Sequence, residues 1–161
     1  QDYINMSIEK VREYLKQFNR ENEIIELSQS SATVALAAEA LGVEGARIAK
    51  TLSFKTADGA ILVVAAGDAR IDNKKFKTTF GLKAKMLTPE EVIEFTGHAI
   101  GGVCPFGIEN KGVKVYLDTS LKRFDTVYPA CGSGNSAIKL TCNELELLSN
   151  CSGWVDVCKT E

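Results

Sequence analysis

Two apolar runs, residues 51–55 and 60–66, flank Ala57-Asp58-Gly59, and this arrangement constrains the fold more than any other feature of the chain. Strand-forming runs joined by a short loop containing Asp-Gly read as an antiparallel hairpin, because aspartate and glycine tolerate the tight backbone reversal. Lys50 then sits at the entrance of the first strand.

Helix and strand signals alternate irregularly around that hairpin. Ile8, Val11, Leu15 and Phe18 recur at helical spacing, and a short strand is expected at residues 23–27. Ser31 is placed to cap a helix over residues 34–41, which Gly42 closes. Asp72 starts a helix that runs through Phe80, and Thr88-Pro89-Glu90-Glu91 joins a capping box to a proline at the first helical position. Residues 113–118 alternate like a strand. Residues 126–130 form another, with Pro129 marking an edge or bulge, and residues 137–140 a short third. Thr141-Cys142-Asn143-Glu144 repeats the capping box before a helix through Leu148, and a last strand is expected at residues 154–158. Strands outnumber what alternating βαβ units supply. The expectation is therefore an α+β fold, a single domain with a mixed, strongly curved, barrel-like sheet flanked by helices.

The length of 161 residues suits one domain, placed at 7–161 behind a tail at 1–6, since Met6-Ser7-Ile8 looks like a natural start. Charged residues at 25% and hydrophobic ones at 45% argue against a disordered or membrane chain. No apolar run is long enough to span a bilayer and the first residues carry no secretory pattern, so a cytoplasmic location is expected.

Cys104, Cys131, Cys142, Cys151 and Cys158 are irregularly spaced and odd in number, which reads as free thiols. With His98 as the single histidine, neither a metal site nor a hydrolase triad is well supplied, and no cofactor is implied. His98 itself, beside a glycine-rich loop, is open to a structural or a catalytic role. The net charge of -2 hides a basic stretch: Arg70, Lys74, Lys75, Lys77, Lys83 and Lys85 stand against Asp72 alone between residues 70 and 85. That stretch is either a solvated helix face or a local phosphate contact.

The loop Gly101-Gly102-Val103-Cys104-Pro105-Phe106-Gly107 is the strongest chemical signal. Adjacent glycines leave peptide N–H groups uncovered, and the following proline fixes the turn that presents them. Such a loop is either a tight turn or a site that receives a carbonyl or phosphate oxygen, with Lys50 adding one directed positive charge.

Taken together, Ala49-Lys50-Thr51-Leu52, the segment from Thr96-Gly97-His98 through Gly107, Gly132-Ser133-Gly134-Asn135-Ser136 and Ile138-Lys139-Leu140-Thr141 resemble the YbaK/ProX (EbsC-like) family of aminoacyl-tRNA editing deacylases. This family is related to the editing domain of bacterial prolyl-tRNA synthetase. The resemblance implies a trans-acting hydrolase that cleaves the ester of mischarged tRNA, such as tRNA(Pro) carrying cysteine, alanine or another small amino acid. It places the family's lysine on Lys50, its loop glycine on Gly101 and its loop proline on Pro105, with residues 132–135 as the late loop beside the pocket. A catalytic set of Lys50, Gly101 and Gly102 follows. The substrate-binding candidates are Thr51, His98, Val103, Cys104, Pro105, Phe106, Gly132, Ser133, Gly134 and Asn135, with Lys74, Lys75 and Lys77 against the acceptor stem. Prolyl-tRNA synthetase is a candidate partner. Where the Cys-tRNA(Pro) deacylase branch carries an aspartate in the late strand, this chain has Ala137.

An aminoacyl ester is already activated, so a positioned water and an oxyanion site suffice without a side-chain nucleophile. Gly101 and Gly102 amides are expected to polarise the ester carbonyl, and Lys50 to hold phosphate or sugar oxygens of the terminal adenosine. Two other outcomes stay open from the residues alone. One is a binding or regulatory protein that recognises aminoacyl-adenosine or tRNA ends with little turnover, and the other is thiol chemistry at Cys104.

Overall fold

The computed structural model describes residues 2–160, with side chains from Ser7 onward. Helix α1 (Asp2–Leu15) begins within the segment expected as a tail and buries Ile8, Val11 and Leu15 along one face. Strand β1 (Ile25–Glu26) is shorter than the expected 23–27. Helix α2 (Val34–Leu41) ends at Gly42, whose φ of 69° suits glycine. Its cap is Thr33, which accepts from the Leu36 amide at 3.2 Å, and not Ser31. The residue next to the first helical position takes the capping role, which leaves the Ser31 hydroxyl for something else.

Strands β2 (Ile48–Lys55) and β3 (Ala60–Ala66) form the expected hairpin, in register from Ala49 opposite Ala66 to Lys55 opposite Ala60. The Thr56 amide closes the turn on the Gly59 carbonyl at 3.0 Å. Because β2 starts at Ile48, Lys50 lies inside the strand and not at its entrance. Every residue of β3 is buried, as an unbroken apolar run without alternation requires when both faces of a strand are covered.

Strand β4 (Arg70–Ile71) leads into α3 (Asn73–Phe80), where Asp72 accepts from the Lys74 and Lys75 amides at 3.0 and 3.1 Å. Helix α4 (Pro89–Thr96) carries the complete capping box of Thr88 and Glu91. Strands β5 (Val113–Asp118) and β6 (Thr126–Pro129) agree with the sequence pattern. The single strand expected at residues 137–140 is instead two fragments, β7 (Ser136–Ala137) and β8 (Leu140–Thr141). Helix α5 (Cys142–Ser149) has the second capping box, and the expected last strand divides into β9 (Gly153–Val155) and β10 (Cys158–Lys159).

The main sheet runs β8-β6-β2-β3-β5-β9 and curls into a half-barrel within a single α+β domain. It is mixed: β2–β3 and β6–β8 are antiparallel, whereas β2–β6, β3–β5 and β5–β9 are parallel. Two antiparallel ribbons, β1–β7 and β4–β10, fasten the ends of the chain to its middle. Helix α3 docks through a chain of rings, with centroids of Phe54 and Phe76 4.8 Å apart, Phe76 and Phe80 4.8 Å, and Phe80 and Tyr116 5.1 Å. Burying rings of this size stabilises the fold by about 1.5–3 kcal/mol each. With the sheet held from that side, its other side and the 97–107 segment are left to form a cavity.

Candidate active site

A cavity of about 260 Å³ opens between α2, β2, α4 and the glycine loop. Its walls are mostly aliphatic, with Val34 and Leu41 from α2, Ile48 from β2, Val92 from α4 and Tyr128 from β6. Lys50, Thr51, Gly101 and Val103 all line it, so four of the residues expected from sequence meet in one place. Ala137, at the position of the departure, lines it too.

Lys50 Nζ donates to the carbonyl of Gly67 at 3.3 Å and to that of Ala69. The turn leaving β3 therefore fixes the ammonium, and of its three N–H donors one remains for a ligand. Half-burial pushes the Lys50 pKa below that of a free lysine, and the negative charge of Asp68 and the Cys158 thiol oppose that shift. Asp68 is in turn held ionised by Arg123, at 2.5 and 3.0 Å.

The glycine loop divides its two glycines between two tasks. Gly101 adopts φ 99°, and a Cβ there would come within 3.1 Å of the Ala32 Cβ. Neither the Gly101 nor the Val103 N–H has an acceptor among the described residues. Gly102 differs from the expectation: its N–H is spent on the Ala99 carbonyl at 3.0 Å, so it is no free oxyanion donor. Its lack of a side chain serves packing, because a Cβ would stand 2.6 Å from Gly132 C and Ser133 N. Gly132 N–H closes the same contact on the Gly102 carbonyl at 3.0 Å.

The late loop thus buttresses the glycine loop and does not line the cavity. Gly134 and Asn135 carbonyls accept from Ser31 and Leu27 amides, each at 2.7 Å, and Ser133 bonds to Asn135 and Ser136 side chains. These bonds hold the 27–33 segment as the wall opposite Gly101.

His98, Cys104, Pro105 and Phe106, all expected at the substrate, are buried behind the loop and outside the cavity lining. His98 is fully buried: Nδ1 accepts from Ser7 Oγ at 2.5 Å and Nε2 donates to the Phe106 carbonyl at 2.9 Å. Burial lowers its pKa, and with both nitrogens committed the neutral ring is a brace and not a base. Cys104 Sγ lies 3.6 Å from His98 Nε2, and complete burial pushes its thiol up to about 12. A thiol held protonated in this way is a poor nucleophile, which removes the support for thiol chemistry at Cys104.

The basic stretch also splits. Lys74 and Lys77 border a surface depression with Asn73 and Lys83, whereas Lys75 donates to Asp156 at 3.1 Å and to the Cys158 carbonyl at 3.0 Å, tying α3 to β10. No group of three His, Cys, Asp or Glu side chains among the described residues is placed to hold a metal. No helix among them is long and apolar enough to cross a membrane.

Sequence reasoning passed over Ser31. The residue is 8% exposed and lines the cavity, and its hydroxyl oxygen is buried with no hydrogen-bond partner among the described residues; the last holds also for the hydroxyl oxygen of Thr51. The competing capping signal at Thr33 was available in the sequence, but the vacancy it leaves at Ser31 depends on tertiary packing.

The sequence and fold that build this cavity are shared with known proteins. The chain belongs to the aminoacyl-tRNA editing domain family, whose pattern matches residues 28–148. YwhH of Bacillus subtilis is 60% identical over 155 residues, covering 96% of this chain and 98% of that protein. The "Putative Cys-tRNA(Pro)/Cys-tRNA(Cys) deacylase EbsC" of Enterococcus faecalis is 30% identical over 115 residues, 70% of each chain. A crystal structure described as a "putative trans-editing enzyme for prolyl tRNA synthetase" superposes with a TM-score of 0.85 at 33% identity, covering 95% of this chain and 97% of that one. The proline--tRNA ligase of Thermosipho melanesiensis is 36% identical over 104 residues, 64% of this chain but only 18% of the ligase.

Proposed function

We propose that this protein is a trans-acting deacylase that hydrolyses the ester of mischarged aminoacyl-tRNA, with a small amino acid on tRNA(Pro) as the substrate. The observation that carries this reading is the Gly101 N–H, without an acceptor among the described residues, on the wall of a cavity that Lys50 shares. The Gly101 and Val103 amides receive the oxygen that becomes negative as water adds to the ester carbonyl carbon. The tetrahedral adduct then collapses, the ribose oxygen leaves with a proton, and the free amino acid is released. Lys50, with one N–H to spare, holds phosphate or sugar oxygens of the terminal adenosine and so fixes the ester against the loop.

No side chain supplies the nucleophile: His98 and Cys104 are sealed behind the loop. Water fills that role, which an activated ester permits. Ala137 in place of an aspartate disfavours a cysteine-specific site and favours another small residue. The acceptor stem would lie against Lys74 and Lys77, and prolyl-tRNA synthetase is the partner that the named relatives suggest. The test is release of amino acid from a panel of mischarged tRNAs by wild type and Lys50→Ala. Equal release by both, at the background rate, overturns the reading.

That no carboxylate or imidazole among the described residues lines the cavity also suits a second reading, a protein that binds aminoacyl-adenosine ends without turning them over. Tight binding of an amide-linked aminoacyl-adenosine, with no hydrolysis of the matching ester, would favour it.

A further inference from the structure

We infer that Arg123 is a positioning residue for Lys50: by holding the Asp68 carboxylate at the surface, it leaves the third N–H of the ammonium to the ligand. The inference rests on the deacylase reading above. Both halves of it meet in the turn that leaves β3. Carbonyls of Gly67 and Ala69 grip Lys50 Nζ, and Asp68 lies between them in the chain. An aspartate has two side-chain torsions, so a carboxylate on that residue stays near the ammonium whichever rotamer it takes. The two charges already act on each other: Asp68 opposes the fall in the Lys50 pKa, and Lys50 helps to hold the Asp68 pKa down.

Asp68 nevertheless bonds elsewhere. Arg123 donates Nη1 and Nη2 to its two oxygens, at 3.0 and 2.5 Å, and a bidentate fork fixes a carboxylate's direction as well as its charge. The guanidinium is itself braced, with Nε on the Ser120 carbonyl at 2.9 Å and Cζ 4.9 Å from the centre of the Phe124 ring. Ser120 ties the same short helical turn, Thr119–Arg123, to the end of β3, since its Oγ accepts from the Ala66 amide at 3.1 Å. Asp118, buried, accepts from the Ser120 and Val157 amides at 2.9 Å each and so anchors that turn to the core. The other titratable group at Lys50, the Cys158 thiol, is pushed up to about 12 and stays uncharged at neutral pH. Released from Arg123, the Asp68 carboxylate is drawn to the ammonium, where half-burial strengthens the attraction, and occupies the N–H that the terminal adenosine needs.

Arg123→Gln, Asp68→Asn and the double variant test this in two ways: release of amino acid from mischarged tRNA, and NMR titration of the Lys50 Nζ resonance, assigned with Lys50→Arg. Arg123→Gln is expected to lower kcat/KM about tenfold, mainly through KM, and adding Asp68→Asn to bring it back to within about threefold of wild type. Full activity in Arg123→Gln, an equal loss in Asp68→Asn alone, or a double variant no better than Arg123→Gln overturns the inference and leaves the deacylase reading intact. The titration decides without turnover. Asp68→Asn should lower the Lys50 pKa more when Arg123 is absent than when it is present, because only then does the carboxylate sit on the ammonium. Equal drops overturn the inference, and they do so even where no ester is cleaved and the deacylase reading fails.

Discussion

The two sides of the 97–107 segment differ in how they treat polar groups. On the side whose residues line the cavity, the Gly101 and Val103 amides stand without partners among the described residues. Towards the core, His98 uses both ring nitrogens, Thr96 Oγ1 bonds the Val92 carbonyl at 2.6 Å, and Cys104 nests against His98. Satisfied groups make a rigid back, and unsatisfied ones a receptive front. The contrast separates residues that hold the site from residues that use it.

The largest effect is expected at the back. His98→Ala removes two hydrogen bonds and opens a void, and should lower the unfolding free energy by about 3 kcal/mol in denaturant titration. A change within a few tenths would dissolve the distinction between the two sides. At the front, Gly101→Ala should act mainly on rate. Loss of a well-placed oxyanion donor slows release by about a hundredfold, while the strain at φ 99° destabilises by about 1–3 kcal/mol. A variant that stays stable and fully active would show that the bare amides are not the reactive feature.

Acidity sharpens the same contrast. Burial holds the folded-state pKa of His98 below its ordinary value of 6.5, so the unfolded chain takes up a proton first as pH falls. Its stabilising contribution is complete above pH 6.5 and is lost as pH drops towards the folded-state value. Wild type should therefore lose stability between neutral and mildly acid pH more steeply than His98→Gln, compared by thermal melts. The smallest effect concerns the basic stretch: a Lys74/Lys77 double alanine variant should flatten the salt dependence of tRNA affinity by about two charges. Lys75→Ala, because it frees β10, should show more in melting than in binding.

Local signals carried most of the fold. The hairpin turn at residues 56–59 and the capping boxes at Thr88 and Thr141 lie within a few residues of the structure they specify, and all formed where expected. Strand β4 and the pairing of both ribbons escaped, because β1 meets β7 and β4 meets β10 across long stretches of chain with too few residues for a periodic pattern. The candidate site divides in the same way between local motif and tertiary packing. Lys50, Thr51, Gly101 and Val103 line one cavity. His98 was ambiguous because its partner Ser7 lies 91 residues away, and Gly102 looked like a donor because nothing local shows that Ala99 claims its amide. Adjacency to a reactive loop says nothing about which side of it a side chain faces.

Gly102 and Gly132 meet backbone to backbone, with no side chain between them to adjust. The two loops are therefore joined as one body. Beside that contact, Met86 and Ile100 line the cavity and expose more than half of their surface. Any adjustment of the cavity's shape there falls to a methionine and an isoleucine side chain, and not to the joined backbones.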